Sequence, residues 1–329
     1  MALCSYFAAD YVPEEAKNHL EMATKACQMA IKEQTNRWQN WNLLGVINMH
    51  PVFDNLSLAQ HCFIQSLNLE RKSWTTWTNL GVLYLKLKEI KLANQAFQRA
   101  QQSSPIYPNA WIGQAMIAEA ILEEIEAVDL FRHCQQFEFH AESAIGYAHW
   151  VCKILSDKEK YQLPHYKYAI NSMYADTVAL DAINWYTIIE ESNTSPSAYS
   201  FQGFLNERQK LYRPAVKAYA QAAEKSASNE ERDIMFTNLG YVHLKLNEPN
   251  EAIVAFNKVT HASFKPIIGL ALAYFKAGQH QESYTVYNSV LKTVAGVEDD
   301  KAARILVAMA SMVYAFQGEA DTKTILYQW

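Results

Sequence analysis

One triplet recurs along this chain at a period of about 34 residues. It is a glycine or alanine, then an alanine, then an aromatic ring, and nothing else in the sequence constrains the fold as strongly. The small residue is Gly45, Gly81, Ala115, Gly203, Gly240 or Ala271. Ala59, Ala93, Ala127, Ala215 and Ala252 stand next, with the ring four residues after each: Phe63, Phe97, Phe131, Tyr219 and Phe256. Tyr287 takes the ring's place in a weaker copy. Apolar residues between these marks keep the three-and-four spacing of one helix face, so each period predicts two helices. Two helix backbones cross closely only where both offer a small side chain. Aromatic and leucine side chains then fill the wedges on either side, and a lone hairpin leaves that face half exposed. Successive hairpins must therefore stack, and these rings are read as core.

The copy that opens at Trp74 carries Trp77, Leu80, Gly81, Tyr84, Ala93, Phe97, Ala100 and Pro105 at positions 4, 7, 8, 11, 20, 24, 27 and 32. At all eight it resembles the tetratricopeptide repeat (TPR). The resemblance implies an all-α TPR solenoid, a right-handed superhelix of antiparallel helix pairs. In that register 1–329 reads as a single array, with a partial repeat at 1–37 and regular repeats at 38–73, 74–107 and 108–141. A repeat with an insertion of about 20 residues follows at 142–195, then repeats at 196–229, 233–263 and 264–297 and a truncated one at 304–329. In the insertion-bearing repeat, helices are expected over 142–155 and 178–191, with Trp185 at position 24. The surplus, 156–175, reads as an extra outer helix bearing Tyr166, Tyr168, Ile170 and Tyr174, for packing or for a partner. Two residues around His50 and Pro51 lengthen one turn, and linkers at 226–231 and 296–300 lengthen two connections. Neither end carries the polar capping repeat that a solenoid needs, so the sequence reads as a segment of a longer array.

Composition closes off other classes. Ten Gly and nine Pro in 329 residues are too few turn formers for a sandwich or barrel, and 50% apolar residues exclude disorder. With 29 Lys and Arg against 34 Asp and Glu and no basic cluster, the footprint of phosphate neutralisation is missing, so direct nucleic-acid binding is not expected. Residues 1–10 lack the basic start of a secretory signal. The run Ile305 to Phe316 falls short of the roughly 20 residues that span a bilayer, so no membrane role is expected. Five cysteines without a C-x-x-C pair fit free thiols in a reducing cytosol.

No phosphate loop, dinucleotide turn, nucleophile elbow or zinc-protease motif occurs. His61-Cys62 and His133-Cys134 are the only neighbouring His and Cys, and adjacent residues point to different faces of a helix. No enzyme, catalytic residue, metal, cofactor or small-molecule substrate is therefore expected. Surface remains. In TPR arrays the first helix of each pair (helix A) lines a concave groove, and the resemblance places Asn42, Val46, Thr78, Val82, Ile112, Met116, Phe204 and Tyr241 there. Chaperone-binding TPR domains clamp a terminal carboxylate with lysine and arginine in this groove. Asn42, Val46, Asn79, Asn109 and Gly113 lack those cations, so the expected occupant is an extended or helical segment of another protein, or the array's own distal part.

A narrower resemblance rests on stretches that the repeat does not demand: 59–64 (AQHCFI), 111–120 (WIGQAMIAEA), 129–133 (DLFRH), 146–152 (GYAHWVC) and 203–207 (GFLNE), beside 77–85 (WTNLGVLYL). These are similar to the TPR subunit of the superkiller (Ski) complex. The resemblance implies a non-catalytic scaffold that holds a DExH-box RNA helicase and WD-repeat subunits together and, through them, serves the exosome in 3′-to-5′ mRNA decay. RNA would be engaged by the helicase. The implied compartment is the cytoplasm, with the nucleus as a second. The alternative is a stand-alone TPR adaptor that takes a linear peptide motif in its groove.

Overall fold

A computed structural model describes residues 2–11, 15–137, 139–189, 194–261, 263–294 and 299–317, and all regular structure among them is helical. The chain divides into two compact units, 1–150 and 151–329. In the first lie α1 (Ala2–Tyr11), α2 (Ala16–Glu33), α3 (Trp38–Met49), α4 (Leu56–Leu69), α5 (Trp74–Lys86), α6 (Ile90–Ser103), α7 (Pro108–Ala120) and α8 (Glu124–Cys134). From α1 to α8 each helix packs on its successor, and α5 also touches α3 and α7. Helix α9 (Ala141–Ser156) crosses the division. In the second unit follow α10 (Lys158–Gln162), α11 (Pro164–Asn171), α12 (Ala175–Ile189), α13 (Pro196–Arg208), α14 (Tyr212–Lys225), α15 (Asn229–Lys245), α16 (Pro249–Asn257), α17 (Phe264–Lys276), α18 (His280–Val294) and α19 (Asp299–Gln317). These too pack in chain order, and α15 meets α17. Stacked antiparallel pairs make the architecture in each unit.

The ring of the triplet joins three helices. A Cβ added to Gly45, Gly81, Gly203 or Gly240 would lie 2.5–2.7 Å from Phe63, Phe97, Tyr219 or Phe256 respectively. No real Cβ approaches so closely, so the ring itself requires glycine at these places. Three rings also close on the following helix A: there is no room for a Cβ on Gly113 of α7 beside Phe97, on Gly146 of α9 beside Phe131, or on Gly269 of α17 beside Phe256. Position 20 faces position 8 as expected. The alanines there are fully buried, and Ser283, which stands in their place in α18, donates through Oγ to the Ala271 carbonyl at 2.7 Å.

Helix ends repeat as regularly as the core. Lys88, Leu122, Lys210, Asn247 and Gly278 all have φ between 60° and 79°, each at the second residue after its helix A. The next amide closes a bond six residues wide, as in Glu89 to the Tyr84 carbonyl and Glu123 to the Ala118 carbonyl, both at 2.9 Å. This is the Schellman geometry that favours glycine, yet one of the five positions carries it. Trp77 and Trp111 donate from Nε1 to the carbonyls of Arg71 and Pro105, pinning the turn before each helix A. Lys86 and Lys276 reach back to the Met49 and Leu244 carbonyls, at the end of the preceding helix A, where a cation complements the helix dipole.

Three expectations need correction. Trp185 is 61% exposed, while Ala179, Ile183 and Tyr186 of α12 are buried. The inward ring place is therefore Ile183, and a two-residue offset turns a side chain about 200° round a helix. The surplus 156–175 is not one outer helix: α10 and α11 share it, and Tyr166, Ala169 and Ile170 of α11 are buried while Tyr168 is exposed. The linker 226–231 shortens to 226–228, because Ser228 Oγ accepts from the Glu230 amide at 3.2 Å and starts α15 at Asn229. Residues 13, 190–193, 296–298 and 318–329, which carried parts of the partial, insertion-bearing and truncated repeats and the acidic linker, lie outside the described residues.

Asp233 replaces a missing turn. Helix α16 has nine residues where α4, α6 and α14 have fourteen. The chain beyond it is tied down by Asp233, whose carboxylate accepts from the amides of Thr260 and His261, both at 2.8 Å, and from the Thr260 hydroxyl at 2.9 Å. Burial disfavours its charge, but these bonds and one to His261 outweigh that and lower it from 3.8 to about 2.

Three measurements test this account. In urea unfolding, Gly113→Ala should cost about 1–3 kcal/mol through overpacking, whereas Trp185→Ala should stay within about 0.5 kcal/mol; equal effects would refute the ring slot. Leu122→Gly should raise stability by about 1 kcal/mol, since an L-residue is strained at positive φ. The Asp233 contribution should be complete above pH 4 and fade as the pH falls toward its lowered value of about 2. A melting-temperature gap between the chain and Asp233→Asn that stays constant down to that pH would contradict it.

Candidate functional site

A partner surface must be built from side chains that the stack leaves free, and the contacts of each groove residue decide whether it is one of them. Helix A offers position 5 to its neighbours. Asn42 Oδ1 accepts from Asn79 Nδ2 at 3.0 Å, so position 5 of α3 faces position 6 of α5. Thr78 is 4% exposed, with its hydroxyl donating to the Trp74 carbonyl, and Ile112 is 5% exposed. Neither can meet a partner. The A helices pack on one another along this seam, and that contact uses part of the face which the TPR resemblance assigns to the groove.

Position 9 is different. Val82 of α5 and Met116 of α7 are 40% and 49% exposed on adjacent, touching helices. Val46 is half-buried against the core cluster of Ala59, Phe63, Leu67, Leu80 and Leu83. Phe204 and Tyr241, in the second unit, are half-buried as well. Tyr241 donates to the Lys265 carbonyl at 2.8 Å and sets its ring edge-on to Phe256, and burial pushes its phenol up. Of the eight expected groove residues, Val82 and Met116 are thus the two whose side chains stand open to solvent.

The titratable groups serve packing. Tyr219 donates to Glu207 Oε2 at 3.2 Å, while the other Glu207 oxygen pairs with Lys245 at 2.6 Å. Burial first, then the Glu207 charge, pushes the Tyr219 phenol far up. Glu248 holds both Arg213 and His243, tying α14 to the turn before α16. Cys27, Cys62, Cys134 and Cys152 are buried free thiols, and burial raises Cys27 and Cys62 to about 11 and Cys134 to about 12. Such thiols are poor nucleophiles and poor ligands. Among the described residues, no three His, Cys, Asp or Glu are grouped so as to hold a metal ion, and no helix is long and apolar enough to cross a membrane. Spacing had missed the tie from Asp233 to Thr260 and the lysines on helix A ends. Lysine recurring at 86, 245 and 276, the last or near-last place of helix A, is the one signal that was there to read.

Comparison with known proteins places this geometry. The tetratricopeptide repeat family matches at residues 75–107 and 235–265, which are the α5–α6 pair and most of the α15–α16 pair. Tetratricopeptide repeat protein 37 of Xenopus laevis is 36% identical over 323 residues, covering 97% of this chain and 20% of that protein. Superkiller complex protein 3 of Mus musculus is 38% identical over 94% of this chain, and that of Homo sapiens 37% over 95%, each covered to 20%. The chain therefore carries tetratricopeptide repeats and is similar, along nearly all its length, to about one fifth of superkiller complex protein 3.

Proposed function

We propose that this chain is a non-catalytic scaffold segment of a Ski-type assembly, holding a DExH-box RNA helicase and WD-repeat subunits for 3′-to-5′ decay of mRNA by the exosome in the cytoplasm. One observation carries the reading: similarity at 36–38% identity runs through 94–97% of the chain, including the irregular stretch from 142 to 195 that a generic repeat would not share. The physical chemistry agrees with it. Buried thiols, tied carboxylates and half-buried tyrosines are spent on stacking, and what the A helices leave open is neutral and apolar at Val82 and Met116. An apolar patch of that kind suits a protein contact more than a charged or small ligand.

The test is recovery of partners by the tagged chain from cytosol. The helicase and WD-repeat subunits should co-purify, and Val82→Asp with Met116→Asp should reduce their recovery while leaving the thermal melt unchanged, since both side chains are exposed. Recovery of chaperones alone would defeat the reading.

A further inference from the structure

A second surface lies on another face of the same helices. Between α4 and α6, over α5, runs a groove of about 760 Å³. Its floor is Leu80, buried, with Trp77 and Tyr84, both half-buried, and its rim is Arg71, Lys72 and Arg99, all exposed. Trp77, Leu80 and Tyr84 share one helix face, whereas Val82 stands five residues after Trp77, about 140° further round. The groove is therefore not the face that presents Val82 and Met116.

Its charge is unanswered. No acidic residue lines it, and among the described residues none of Arg71, Lys72 and Arg99 is in an ion pair. Glu70, next in sequence, spends Oε1 on the Lys72 amide at 3.0 Å. From α4 to α6 the sequence carries six basic residues (71, 72, 86, 88, 91 and 99) against Glu70 and Glu89, within a chain of net charge -5. Three free cations over an apolar floor call for carboxylates around an apolar side chain.

We propose that this groove docks a short acidic segment of a partner protein, with an apolar side chain on Leu80 and Trp77 and carboxylates on Arg71, Lys72 and Arg99. A nucleic acid fits less well. The next pair, α7 and α8, carries Glu119, Glu123, Glu124, Glu126 and Asp129 against Arg132, and would repel a polyanion that ran past the groove. A peptide of a few residues stays within the positive stretch. The inference stands whether or not the partner belongs to a Ski-type assembly.

Fluorescence anisotropy on the full chain tests it. The probe is a labelled peptide pool in which leucine or phenylalanine is flanked by aspartate and glutamate, with an asparagine and glutamine pool as control. The acidic pool should bind, more weakly as salt rises, and the control should not. Arg71→Gln with Arg99→Gln should weaken binding at least about tenfold without moving the thermal melt, because both side chains are exposed. Equal binding of the two pools, an unchanged affinity in the double variant, or no binding of the acidic pool would overturn the proposal. Tighter binding of a uridine octamer, lost in the same double variant, would overturn it in favour of nucleic acid.

Discussion

The contact between one aromatic ring and two glycine-bearing helix faces organises this molecule. Phe97 occupies the space that a Cβ on Gly81 or on Gly113 would need, and Phe256 does the same between Gly240 and Gly269. A ring held this way is shared by its own hairpin and the one after it. Its burial is therefore complete only when the second hairpin has docked, which makes the stack cooperative between neighbours. In α7 and α17, where position 8 itself is not glycine, Ala115 and Ala271 stand there fully buried, and Ser283 donates a hydrogen bond to the Ala271 carbonyl.

Polar groups reinforce the same seams. Ser66, Ser73 and Thr76 form a fully buried hydroxyl cluster where α4 turns into α5, with Ser66 Oγ donating to the Trp38 carbonyl at 3.0 Å. Buried hydroxyls are costly without partners, so a cluster that satisfies itself fixes the angle of that junction as well as its energy. Indole N–H groups on turns, lysines on helix ends and Asp233 on the shortened α16 turn act alike. Each uses a side chain to satisfy backbone groups that turns or helix ends leave bare.

Such thorough use of side chains explains why the candidate surfaces are few. Thr78 and Ile112 are consumed by helix A packing, and Val82 and Met116 are left beside them. The array presents chemistry mainly through what varies from hairpin to hairpin, and charge varies most. Helices α4 to α6 are basic and α7 with α8 acidic, although the two stretches share one scaffold. A net charge averaged over 329 residues hides that contrast.

Spacing alone determined the all-helical class, the pairing of helices and the inward place of Phe63, Phe97, Phe131, Tyr219 and Phe256, because small and aromatic residues at fixed offsets have one good way to pack. It did not place Trp185, whose copy has lost the signature residues, so that a two-residue error in register went unopposed. It did not mark the Schellman turns either, since Lys88, Leu122, Lys210 and Asn247 tolerate a strained φ without the glycine that would have announced it. Tertiary structure decided these, and it decided which groove residues are open and which cations gather around Trp77. Such facts depend on contacts between helices far apart in sequence, and a one-dimensional period carries the geometry of a single hairpin but not the exposure that stacking leaves behind.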